Sequence, residues 1–295
     1  NPVALRWIRA ARALTEVPQV AVFDTAFYSA MPAVAKHYAL PRQLAAAAQV
    51  RRYGFHGLAH RAMWRRWCEL HSDIRDGGRV ITIQLGGGCS VTAIHAGVAI
   101  DTSMGFSPGE GLMMATRCGD IDAAAVLRLL QEPAAVTSRA DDTTTGAALR
   151  ANVERLTRLL NTESGLLGVS EKSADMRELI DDAATQSRFA VELYCYRLRK
   201  YIGGYVAALG GVDGIVFGGG VGEHTPRVRA DALIGLHCCG VRLDVEANRR
   251  AIGGEARISS GDSAVAVHVL PVDETRVLAE ETYPLLRRRE HAGTR

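Results

Sequence analysis

The sequence predicts an α/β fold, and three stretches carry that prediction. Residues 80–85 are an apolar run, followed by Gly86, Gly87 and Gly88 and then CSVTAI, which alternates in period two and is rich in β-branched residues. Residues 184–209 carry a long helical pattern. Residues 214–233 read as a buried strand, a glycine-rich turn and a helix. Composition agrees: 295 residues with 47% hydrophobic and 23% charged content suit one large or two medium domains of a soluble globular protein.

The charge balance narrows the function classes. A net charge of +3 is too small to argue for nucleic acid. Six cysteines are scattered without a CxxC pair, which reads as reduced thiols and a cytoplasmic protein. No signal peptide opens the chain, and no apolar run reaches about 18 residues, so no membrane span is expected. The first residue is Asn1 rather than Met, which points to an absent or processed start.

In chain order, a helix is expected over 5–14, then a short buried strand over 19–23 ending at Asp24. A carboxylate at a strand's C-terminal end is a common active-site placement in α/β folds. A simple turn or cap aspartate fits Asp24 equally well. Helical segments follow at 30–38 and 42–48. Residues 51–57, RRYGFHG, then open a helix running to about residue 70. Glycines around the Phe55–His56 pair suggest a tight loop against a ligand, and Arg51 and Arg52 raise the odds that it is anionic. A lone histidine such as His56 is more often a hydrogen-bonded structural residue.

The central glycines sit between two strands, with a further strand expected over 98–101. A Walker loop or dinucleotide fingerprint would need a helix after the glycines, and none follows. Such a turn lets backbone N–H groups approach a phosphate closely, although a plain tight hairpin explains the glycines too. Residues 101–111 are too rich in turn residues for regular structure. Beyond them lies Arg117, which either holds a carboxylate or phosphate bidentately or forms a salt bridge that holds its loop. Gly119 and Asp120 would cap a helix over 121–131.

Residues 133–146 look like a connector. A helix over 147–161, the turn SGLLGVS and SADMR, which opens another helix, come next. In the long helix, Phe189, Leu193, Tyr196, Ile202, Val206 and Leu209 form the expected core stripe. Glycines 218–220 and 222 then lie between a strand and a helix over 226–233, where a nucleotide phosphate could rest on the helix N-terminus. A strand over 264–270 and a helix over 275–286 complete the fold, and the last nine residues read as a frayed tail.

Together these stretches resemble the acetate kinase family, the acetate, propionate and butyrate kinases. The matching pieces are VFDTAF (22–27), RRYGFHG, LGGGCSVTAI, IDTSMGFSPGEGLMMATRCGDID, SGLLGVS, SADMR, YIGGYVAALGGVDGIVFGGGVGEH and PVDE, in family order from residue 1 to about 285. The glycine hairpin is similar to the phosphate grip of actin, hexokinase and heat-shock-protein ATPases.

The resemblance implies an actin-like, sugar-kinase-like ATPase fold with the second domain nearly complete and the first truncated. Residues 1–27 would be the remnant of the first domain and 28–274 the second, with 275–295 a helix returning to the first domain plus the tail. It implies transfer of the ATP γ-phosphoryl to acetate or another short carboxylate, giving an acyl phosphate and ADP with Mg2+. By position, Asp24 matches the aspartate near the transferred phosphate, and His56 and Arg117 the cations stabilising it in flight. Glu274 matches the glutamate linked to magnesium. Gly86, Gly87 and Gly88 match the phosphate hairpin, Asp175, Met176 and Arg177 the adenosine-contacting triplet, and Gly219, Gly220, Gly222 and Glu223 the second nucleotide loop. A homodimer is implied as well.

This sequence departs from the family in two ways. The family's opening segment, with an Asn-x-Gly-Ser-Ser-Ser turn, has no counterpart here. The family's H-L-G-N-G hairpin reads Gln84-Leu85-Gly86-Gly87-Gly88, and His224 stands where Asn is usual. These departures leave two expectations: an impaired carboxylate kinase, or a nucleotide-binding remnant without catalysis. They also leave an exposed apolar seam at 19–23 and 275–286, and with it self-association.

Overall fold

The structure is a computed structural model that describes residues 2–131 and 145–292. The expected connector lies outside the described residues, apart from its last two residues, which belong to a helix. The helices are α1 (Pro2–Leu14), α2 (Ala33–Lys36), α3 (Arg42–Ala47), α4 (Gly57–Leu70), α5 (Ala123–Gln131), α6 (Thr145–Thr162), α7 (Gly165–Ser170), α8 (Met176–Leu179), α9 (Thr185–Leu209), α10 (Gly219–His224), α11 (Pro226–Leu233), α12 (Val245–Arg250) and α13 (Glu274–Ala292). The strands are β1 (Arg79–Leu85), β2 (Cys89–His95), β3 (Val98–Thr102), β4 (Gly214–Gly218), β5 (Ala256–Arg257) and β6 (Ala266–Val269).

The strands form one sheet in the order β3-β2-β1-β4-β6-β5. β1, β2 and β3 make an antiparallel meander, while β4 and β6 join parallel to β1. Parallel strands need helical crossovers, and α9 supplies the one into β4. Period two then sorts the side chains of β1. Ile81, Ile83 and Leu85 enter the main core with α9, whereas Val80 enters a second cluster with Met63 and Trp67 of α4. Thr82 and Gln84 share the Val80 face, so polar groups are carried into the layer beneath α4.

Four expectations are corrected. Residues 19–23 form no strand. Val20 and Val22 are half-buried and Ala21 and Phe23 exposed, an extended alternation that finds no ladder partner among the described residues. The expected helix over 30–38 shrinks to α2, because Pro32 fixes its start and His37 has already turned to extended backbone.

The expected core stripe of α9 holds at Ile202, with Leu193, Val206 and Leu209 packed against the core, and fails at two positions. Phe189 and Tyr196 are exposed, and the buried face runs through Ala190, Val191, Tyr194, Cys195, Leu198, Ile202 and Tyr205. Tyr194 meets Cys89 Sγ of β2 at 3.2 Å, and Cys195 meets the Val228 carbonyl of α11 at 3.9 Å. Asp120 does not cap α5. It accepts from the Gly111 N–H at 2.8 Å and the Tyr201 hydroxyl at 2.6 Å, and Asp122 takes the capping role by accepting from Ala124 N–H at 2.6 Å.

α13 lies across α4. Arg61 and Arg65 of α4 pair with Glu280 and Glu281, Arg276 reaches Glu69 at 2.7 Å, and Val277 is buried.

Candidate nucleotide and phosphoryl site

Two glycine turns, at the C-terminal ends of β1 and β4, face the same cleft. This is where ligands collect in open α/β sheets, because strands diverge and helix N-termini point inward. The cleft holds about 620 Å3 and is lined by Gly86 and Gly87 of the hairpin, Asp175, Met176 and Arg177 of α8, and Gly220 of α10. Three separate stretches expected to hold a nucleotide are thus brought to one cavity. A larger hollow of about 810 Å3 lies against α2, α3 and Tyr53 and is lined by none of the expected site residues. Volume favours that hollow, but chemistry favours the cleft, where backbone N–H groups and an Asp–Arg pair converge.

The members of the cleft differ in how they are held. Asp175 is the N-cap of α8, accepting from Arg177 N–H at 2.9 Å and pairing with the Arg177 guanidinium at 2.5 Å. That partner holds the Asp175 carboxyl below the usual range, and the Arg177 side chain stays open to solvent. Met176 is 2% exposed and belongs equally to the core.

Gly219, Gly222 and Glu223 do not line the cleft. Glu223 turns back, accepting from Gly219 N–H at 2.9 Å and Val272 N–H at 3.4 Å. It ties the β4–α10 turn to the segment that leads into α13. Gly219 has φ +77°, and a Cβ there would stand 2.7 Å from the Leu85 carbonyl, so only glycine suits the turn. Gly86, Gly87 and Gly88 need no left-handed backbone. At Gly88 the reason is space, as a Cβ would lie 3.3 Å from both Arg117 Nη1 and His56 Cε1. At Gly87 a Cβ would meet nothing within 4 Å.

His56 and Arg117 therefore converge on the outer side of the hairpin, at Gly88. Arg117 donates to the Pro108 carbonyl at 3.2 Å and touches Met114 Sδ, with no carboxylate pair among the described residues. His56 sits at φ +58°, a left-handed conformation unusual for a side-chain-bearing residue. Asp24 compensates for that strain. Its two oxygens accept from His56 N–H at 2.6 Å and Leu58 N–H at 3.0 Å, which caps α4 across space. Gly57 leaves the room, because a Cβ there would fall 1.9 Å from the Asp24 carbonyl.

Burial pulls the His56 imidazole below its ordinary pKa. The Asp24 charge opposes this and Arg117 adds to it. Burial thus favours the neutral ring in the ligand-free site. Glu274 opens α13. Its carboxyl is raised above the usual range, first by surrounding protein and then by the Asp24 charge.

The Arg51–Arg52 pair does not mark an anion site. Arg52 pairs with Glu110 at 2.6 Å and donates to the Thr102 and Ser103 carbonyls, and Arg51 stacks over Tyr53 at 4.8 Å. Sequence reasoning missed Arg229. It is wholly buried and donates to the Gly222, Glu223, Asn248 and Ala251 carbonyls and to Asn248 Oδ1, closing the C-terminal end of α10. It missed too the polar layer of His60, Thr82 and Ser90 behind His56. Its available signal was the polar alternation Thr82–Gln84 inside an otherwise apolar strand, with His60 one helical turn after His56.

The strand order and the two glycine turns on one cleft define the actin-like ATPase fold class. The sequence profile of the acetokinase family matches residues 1–280. The acetate kinase of Phocaeicola vulgatus is 44% identical over 290 residues, covering 97% of this chain and 69% of that protein. The crystal structure of Porphyromonas gingivalis acetate kinase superposes with a TM-score of 0.85 at 38% identity, over 97% of this chain and 69% of that one. A propionate kinase from Francisella tularensis gives 0.79 at 32% identity, over 92% of this chain and 66% of that one. The chain belongs to the acetokinase family, a family of ATP-dependent carboxylate kinases. Among the described residues, no helix is long and apolar enough to cross a membrane.

Proposed function

We propose that this chain carries the nucleotide and phosphoryl side of an acetate kinase reaction, in which ATP and acetate give acetyl phosphate and ADP. One observation carries the proposal: the hairpin glycines, the Asp175–Met176–Arg177 triplet and Gly220 line one cleft, and His56 and Arg117 meet at the adjoining Gly88. Phosphoryl transfer asks for positioning and for donors around spreading negative charge rather than for covalent chemistry. Gly86 N–H is given to the Gly88 carbonyl at 3.0 Å, so the Gly87 and Gly88 N–H groups would hold phosphate oxygens, and Arg117 and His56 Nε2 would surround the phosphoryl in flight. Asp24 serves by fixing the backbone from which His56 projects.

Magnesium fits the residues present. The Glu274 carboxyl is raised first by burial and then by the Asp24 charge, and a divalent cation would relieve that second contribution. Glu274 would hold it, and the ion would supply charge neutralisation for the phosphoryl transfer.

The proposal includes residues 1–27 and 275–295 as parts of a first domain and 28–274 as the second, with a cytoplasmic homodimer as the working form. A second possibility, nucleotide binding without transfer, draws on Gln84 and Gly87, which replace the family's His and Asn in the phosphate hairpin. Hydroxylamine trapping of acetyl phosphate formed from Mg-ATP and acetate separates the two. Turnover that Arg117→Ala reduces by roughly a hundredfold or more supports transfer. Measurable ADP binding with no trapped product in the wild type supports the second.

A further inference from the structure

Behind His56 lies a chain of polar groups sealed from solvent. His56 Nδ1 is 2.9 Å from Ser90 Oγ, Ser90 Oγ is 2.8 Å from His60 Nε2, and His60 Nδ1 is 2.8 Å from Thr82 Oγ1. His60, Thr82 and Ser90 are each 0% exposed. The fold explains the assembly. His60 follows His56 by one turn of α4, and Thr82 and Ser90 stand on the α4 face of neighbouring strands β1 and β2.

Three arrangements of hydrogens satisfy these distances with neutral rings. In the first, His60 Nε2–H and His56 Nδ1–H both donate to Ser90 Oγ, which leaves the buried Ser90 hydroxyl hydrogen without an acceptor among the described residues. The other two run in a single direction. In one, hydrogens point inward: His56 Nδ1–H donates to Ser90, Ser90 to His60 Nε2, and His60 Nδ1–H to Thr82. The Thr82 hydroxyl hydrogen then has no acceptor among the described residues, because His60 is its one partner there. In the other, hydrogens point outward: Thr82 donates to His60 Nδ1, His60 Nε2–H to Ser90, and Ser90 to His56 Nδ1. Every buried hydrogen then has an acceptor. A buried donor left without a partner costs about 1–3 kcal/mol, so the outward arrangement is preferred.

We infer that Ser90 and His60, anchored by Thr82, are positioning residues that hold neutral His56 in the tautomer carrying its hydrogen on Nε2, the nitrogen that faces Gly88 and the Arg117 guanidinium. The inference rests on the proposed phosphoryl site for its use, though not for its existence. A phosphate oxygen arriving at Gly88 meets a ready donor and needs no proton from solvent. The charged groups around the ring are Asp24, which accepts from the His56 backbone, and Arg117 across the hairpin. Burial lowers His56 and His60 together and keeps both rings neutral.

The test is 15N NMR of the whole folded chain labelled at histidine, at neutral pH without nucleotide, with the His56 signals assigned by their loss in His56→Gln. The expected spectrum shows His56 as a single neutral tautomer, Nε2 protonated and Nδ1 bare. An Nδ1–H tautomer, an imidazolium or a fast average of both tautomers would overturn the inference. Ser90→Ala and His60→Phe should turn His56 into an average. His60→Gln, whose amide can still donate to Ser90, should preserve the single tautomer. If the substituted chains do not fold, the wild-type spectrum alone decides. Titration with inorganic phosphate is a separate arm. A fixed tautomer with no phosphate response leaves the relay standing and counts against the phosphoryl site. A phosphate response from an averaged ring does the reverse.

Discussion

Gly87 and Gly88 are neighbours in one hairpin, yet they predict opposite outcomes when substituted. A Cβ at Gly88 would crowd the tips of His56 and Arg117, whereas one at Gly87 would meet open space. Gly88→Ala should leave the melting temperature nearly unchanged and weaken ATP binding by roughly tenfold, because only the donors around the transferred phosphoryl are displaced. Gly87→Asn should fold as the wild type does and bind ADP at least as tightly, since it adds a donor where there is room for one. Calorimetry on both variants checks the pair, and equal losses in both would contradict it. Glu274 gives a prediction with a sign. Its folded pKa is raised, so the ionised form is disfavoured in the fold above that value, and the penalty vanishes below the ordinary glutamate pKa. Glu274→Gln should therefore raise the melting temperature slightly at pH 7, leave it unchanged near pH 3, and still abolish the magnesium dependence of ADP binding. A loss of stability at pH 7 would show that the carboxylate is paired rather than strained.

At the scale of the element, α10 is short and glycine-rich, and its geometry is imposed from outside. Glu223 holds its entry through two backbone N–H groups, and Arg229 gathers the carbonyls at its exit. Burial lowers the Arg229 guanidinium to about 10, and no carboxylate is among its hydrogen-bond partners. Arg229→Met keeps the volume and removes every donor, so it should destabilise the fold by on the order of 3 kcal/mol in urea denaturation. A change below about 1 kcal/mol would mean that those carbonyls find other partners. The sequence made the strands β1, β2, β3 and β4 legible, since period-two patterns and glycine turns are local signals. It misplaced part of the buried face of α9 because Phe189 and Tyr196 look like core by residue type, while the buried face is set by the elements packed on it, Tyr194 meeting Cys89 of β2 and Cys195 meeting Val228 of α11. For Asp24, His56 and Arg117 the residues alone left a structural reading open, and the roles proposed for them and for the Asp175 triplet come from the resemblance. What each does locally was not legible, since Asp24 acts on the backbone of a residue far away in sequence. The relay behind His56 is a property of three elements packed together and has no local signal beyond Thr82 and Gln84 in an apolar strand.

The whole molecule exposes apolar side chains toward both ends of the chain. Trp7 of α1 is 73% exposed, Leu14 86% and Phe23 69%, and Tyr283 and Leu285 of α13 are open as well. Such surface favours association. Light scattering should show self-association that grows with concentration, and Trp7→Glu with Phe23→Glu should reduce it. A monodisperse monomer that binds no hydrophobic dye would contradict this. The central claim is that the cleft between the β1–β2 hairpin, α8 and α10 takes a nucleotide, and calorimetry with Mg-ADP on the folded 295-residue chain tests it most directly. The expected result is a single site with a dissociation constant on the order of 10 μM to 1 mM, the metabolite range, weakened more by Asp175→Ala than by Asp24→Ala. No heat at millimolar nucleotide from folded protein, or a larger loss from Asp24→Ala, would contradict it.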